Sequence, residues 1–161
     1  MIIRALILAL LCMSPISAET TDLTLINKLP QRVAEIKKEC QKKWNSSNTH
    51  TMVEGSIEYD DKLVVILKEL VRTYANKKFI KESDIDTYVQ TLVTKIKFEQ
   101  KLENPLGLDQ GTLALHYLPN GLFVGLQNAI VLIVRGAVEY ESSFNFDAWN
   151  KEWEQALNAG R

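Results

Sequence analysis

The 161-residue chain is poor in the residues that usually announce chemistry, with two cysteines, two histidines, seven glycines and four prolines. No phosphate-binding loop, dinucleotide fingerprint, HExxH, GxSxG or CxxC occurs in it, so none of the common nucleotide-dependent, zinc-dependent or nucleophile-elbow chemistries is signalled. An excess of one charge is also missing. Nineteen basic residues against twenty acidic ones leave a net charge of −1, which argues against a phosphate-backbone binder, because that affinity comes from clustered Lys and Arg. No nucleic-acid partner, metal or cofactor is therefore expected. Nor is there a low-complexity tract or a fixed-period repeat, and a composition 46% hydrophobic and 24% charged fits one ordinary globular domain.

What is present begins with an address. Residues 1–18 read as Arg4, an apolar run from Ala5 to Met13, a Ser14-Pro15 break and a small residue at Ala18, the pattern of a cleaved secretory signal peptide with its cut before Glu19. The apolar run is too short to cross a bilayer. Cys12 follows Leu11, a bulky residue where a lipoprotein signal needs a small one, so lipidation is not expected. Residues 19–161 then form the domain, exported, and periplasmic if the host is bacterial. Only Cys40 survives in it, which excludes an intramolecular disulfide.

The domain reads as helical. Leu23, Ile26, Leu29, Val33, Ile36, Cys40 and Trp44 recur every three or four residues, interrupted by Pro30, which predicts an amphipathic helix that kinks or starts there. The polar stretch 45–56 reads as a loop, carrying the sequon Asn45-Ser46-Ser47. A second stripe then runs from Ile57 to Tyr74, capped by Ser56, with Glu58, Asp60 and Asp61 matching the positive end of the helix dipole. A third helix starts at Ser83-Asp84-Ile85-Asp86 and stops at Asn104-Pro105. Leu122 to Val138 is apolar on almost every face, as in a helix buried all round. A last short helix carries Trp149, Trp153 and Leu157. The fold expected is all-α, a single domain of about five helices around a central apolar helix at 121–138.

Candidate sites are few. Cys40 with His50 or His116 would be a nucleophilic pair, but Cys40 belongs to an apolar stripe, where a thiol is inert. His50, Glu54 and Glu58 are spaced by four, which is weak metal-ligand spacing. Gly121, Gly125 and Ala129 put small residues in a row, suited to close helix contact in a bundle or a membrane. Gln127 and Asn128 would sit unpaired near the middle of a span of about 27 Å, which favours the bundle. If that helix lines a cleft, Gln127, Asn128 and Arg135 meet the ligand or partner, with His116 and Tyr117 at its mouth. Trp149 and Trp153 serve either as an aromatic anchor or as core. These features point to a non-enzymatic exported protein that binds another protein, with a carrier of an apolar small molecule, a membrane-inserting protein and a hydrolase of unfamiliar type as the alternatives.

Overall fold

The computed structural model describes residues 21–75, 79–102 and 123–159, and among them there are five α-helices and no strand. They are α1 (Thr24–Trp44), α2 (Thr49–Tyr74), α3 (Ile85–Leu102, entered through a 3-10 turn at Glu82–Asp84), α4 (Phe123–Ala137) and α5 (Phe146–Asn158). The chain is an all-α single domain, as its periodicity predicts.

α1 runs unbroken through Pro30 rather than starting at it, and Ile26, Leu29, Pro30, Val33 and Cys40 are its buried face. α2 begins two turns earlier than the apolar stripe suggests. Asn48 is the reason, because its side-chain oxygen accepts from the backbone N–H of His50 at 2.9 Å and of Thr51 at 3.3 Å, supplying two of the donors that a helix start leaves unpaired. Ser56, expected to cap, lies inside the helix with its hydroxyl donating to the Met52 carbonyl at 3.1 Å.

α1 and α2 form an antiparallel hairpin. Near its turn the backbones come close at Gly55, where an added Cβ would stand 2.7 Å from Lys43 Cβ and 3.2 Å from Trp44 Cδ1. Along the flank, Glu58 pairs with Lys43 at 2.9 Å and with Lys62 at 3.2 Å, Lys62 also reaches Glu39, and farther on Arg32 grips Glu69 through Nη1 and Nη2. Exposed pairs of this kind add at most about 1 kcal/mol each, so they set register more than stability. At the open end Tyr74 Oη donates to the Asp22 carbonyl at 2.6 Å.

The helix at the hub is α2, not the apolar helix α4. Among the described residues α2 packs on α1, α3 and α4, whereas α5 lies on α1. Its 26 residues reach about 39 Å, and Tyr59, Leu63, Ile66, Leu67, Leu70 and Val71 are all at most 1% exposed. α4 buries Leu126, Ala129, Ile130, Ile133 and Val134 but leaves Val124 51% exposed. Its apolar composition thus covers a buried face and an outward one. α4 starts beside the middle of α2 and the turn after it returns to the start of α1, where Glu141 accepts from the Thr21 hydroxyl.

The close approach at Gly55 has a measurable sign. In an exposed helix Gly→Ala gains up to about 1 kcal/mol, but Gly55→Ala is expected to lose on the order of 1–3 kcal/mol because Lys43 Cβ belongs to a packed helix and must be displaced. Urea unfolding measures it, and a gain would show that α1 and α2 separate there at no cost.

Candidate functional site

The seven residues singled out by sequence do not form one site. His116 and Tyr117 lie outside the described residues. Gln127 turns inward and its Nε2 donates to Tyr59 Oη at 3.1 Å. Burial raises the Tyr59 hydroxyl to about 12, so it stays a neutral phenol. Gln127, half-buried, therefore has an internal partner.

Asn128 and Arg135 turn outward instead and are exposed. Arg135 stands 5.6 Å over the Phe146 ring, a cation–π contact that joins α4 to the start of α5. With Val124 and the half-buried Val131 they form a row at i, i+4, i+7 and i+11, which on a helix is a single stripe. No acidic residue occurs in α4.

Trp149 and Trp153 are core residues, 5% and 1% exposed, stacked on each other at 5.6 Å with their planes 14° apart. Trp149 does more than fill space. A proline within a helix has no N–H to give to the carbonyl four residues back, and for Pro30 that carbonyl belongs to Ile26. The indole N–H of Trp149 donates to the Ile26 carbonyl at 2.9 Å. The group orphaned by Pro30 is thus satisfied from α5 by Trp149, and Trp153 is buried against that ring.

The other sequence candidates are also placed. Cys40 is fully buried and its thiol is pushed up by desolvation, while His50 is 82% exposed beside Glu54 at 3.8 Å, so these two do not make a nucleophilic pair. Among the described residues no group of three His, Cys, Asp or Glu side chains could hold a metal ion. Asp84 accepts from the Ser83 hydroxyl at 2.9 Å and Asp86 from Lys68 at 2.9 Å, so the carboxylates at the start of α3 have structural partners. No helix among the described residues is long and apolar enough to cross a membrane.

Sequence reasoning misplaced Asp60. Read as a first-turn acid, it lies three turns inside α2 and is 6% exposed. Burial raises its carboxyl to about 8, with Lys97 opposing and Asp61 reinforcing the shift. The signal was present: Asp60 falls four after Ser56 and three before Leu63, in register with the apolar stripe.

No known family model matches the chain, and neither curated proteins nor solved structures show a significant likeness to it.

The Pro30–Trp149 relation is testable by a double-mutant cycle. Trp149→Phe keeps a stacking ring but leaves the buried carbonyl without its donor, at an expected cost of about 1–3 kcal/mol. In the Pro30→Ala background the backbone N–H returns, and the same change should cost about 1 kcal/mol less. Equal costs in both backgrounds, measured by urea unfolding, would remove the linkage.

Proposed function

We propose that the chain is exported and acts without catalysis, by binding another protein through the outward stripe of α4. The observation that carries this reading is the row Val124, Asn128, Val131 and Arg135, an apolar seam with an amide and a guanidinium on an otherwise packed helix. Spacing of i, i+4 and i+7 is how one helix seats in a groove or against a second helix. The absence of acidic groups on α4 suits a partner that offers apolar side chains with a carboxylate facing Arg135. Such a surface suits an inhibitor, an immunity or exclusion factor, or an accessory component of an envelope assembly.

Export rests on the charged, apolar and small-residue order of residues 1–18, with the periplasm as destination in a bacterial host. The membrane-inserting alternative draws less support, since the 15 residues of α4 reach only about 22 Å and one face is packed on α2. Nothing on the described surface favours the apolar-ligand carrier over a protein partner.

The test is made in the native host with the tagged precursor. A photo-crosslinking amino acid at position 124 or 128 should give a discrete protein adduct, and one at the exposed position 91 of α3 should not. Val124→Asp should reduce adduct formation from position 128 at least tenfold, the effect of losing an interface anchor of about 1.4 kcal/mol, with the melting temperature unchanged. The soluble exported fraction should hold a species cut before Glu19. Retention in carbonate-washed membranes, or equal labelling from α3 and α4, would overturn the reading.

A further inference from the structure

Asp60 takes no part in the binding surface. It lies on the flank of α2 that Lys97 of α3 approaches, and among the described residues its Oδ1 is shielded from solvent and meets no hydrogen-bond donor. A buried acceptor without a partner is rare enough in folded proteins to need a reason. Ionised, this carboxyl would place charge on a shielded oxygen that no donor meets; protonated, it is a small polar group that a helix seam tolerates.

We propose that Asp60 is a proton-controlled latch: packing of α3 on α2 holds it as the neutral acid, and loss of that proton loosens α3 while the α1–α2–α5 portion stays packed. α3 is the helix suited to move. Among the described residues it packs on α2 with a minor contact to α4, and the ion pairs Lys68–Asp86 and Arg72–Glu82 tie its entry to α2.

The charged surroundings are consistent. On α2, Asp61 adds repulsion, and from α3 Lys97 supplies an attraction too weak to offset burial. α1 directs Glu39 and Lys43 to the hairpin flank, where they pair with Lys62 and Glu58, and its Cys40 thiol is held neutral by burial. α4 carries no ionisable residue before Arg135, which lies over Phe146.

With the native carboxyl near 8 and its ordinary value 3.8, the closed form binds the extra proton between those limits. Its stabilisation is complete below the lower value, declines as pH rises, and is gone above the upper one. Glu58 and Glu69, held below the usual carboxylate range by Lys43 and Arg32 respectively, weaken only in acid. Between pH 5.5 and 7.5 neither of these contributes, and the Asp60→Asn variant separates the effect of Asp60 from that of every other group that titrates there.

Hydrogen exchange of the full chain, corrected for intrinsic rates, reads the latch directly. Over those two pH units the opening of α3 should increase up to about 100-fold, at tenfold per unit, with α1 and α5 unchanged. Asp60→Asn, neutral throughout, should abolish the dependence. A variant that keeps the wild-type slope, or α1 and α5 opening in step with α3, would overturn the proposal. Should the variant not fold, the carboxyl-carbon resonance of Asp60 in the wild-type chain decides: a titration midpoint far above the usual carboxylate range supports the latch, and one near 4 sinks it.

Discussion

A helix that continues through proline must find a donor for the carbonyl it leaves behind, and that requirement organises one side of this protein. Pro30 lies within α1 and is buried, so water is not at hand for the Ile26 carbonyl. The indole of Trp149 supplies the donor. At its other end α5 is tied to the same helix, with Lys37 donating to the Leu157 carbonyl. Thirteen residues are marginal as a free helix, and the cap from Asn145 to the Ala148 N–H does not change that by itself. α5 is therefore a helix largely because α1 needs and receives it. The stacked rings of Phe146, Trp149 and Trp153 make the same docking an apolar one.

On the other side the constraint is the crowding around α2. Within six residues this helix meets each of its neighbours: Gly55 admits α1, Tyr59 meets Gln127 of α4, and Asp60 turns to the side of Lys97 in α3. Helical geometry spreads those residues around the axis at about 100° per step. Tyr59 also carries Trp44 edge-on at 5.2 Å, so the end of α1 and the start of α4 share one buried ring. Between them, a missing side chain, a bifunctional phenol and a hidden carboxyl serve three different interfaces. Of the three, only the carboxyl is ordinarily charged at neutral pH, so the α2–α3 seam is where burial and ionisation compete.

The helices themselves were legible from local pattern. Stripes ending at Trp44, Tyr74 and Leu157 mark faces that the bundle does bury, and the burial of Cys40 follows from its place in the first of them. Less was legible where composition and position part company. Asn48 extends α2 back through a segment that looks like loop, because a cap acts over two or three residues and is invisible to apolar periodicity. That extension moves Asp60 from the first turn to the interior. The apolar run of α4 likewise suggests burial all round, yet Val124 lies outward beside Asn128 and Arg135. An apolar side chain reports affinity for a nonaqueous surface and does not say whether that surface belongs to the same chain.

The sequence alone determined that the domain is all-α and most of the residues that face inward on its amphipathic helices, because helical period is set by neighbours three and four residues apart. On α2 it put Ile57, 47% exposed, in the stripe and missed Tyr59 and Asp60. Tertiary structure alone decided what each face meets. The donor for the Ile26 carbonyl comes from a residue 123 positions away, and Gln127 finds Tyr59 across 68. Hydrogen-bond satisfaction and desolvation are properties of such assembled pairs. That is why Trp149 becomes a backbone cap and Asp60 a hidden acid only once the helices are packed.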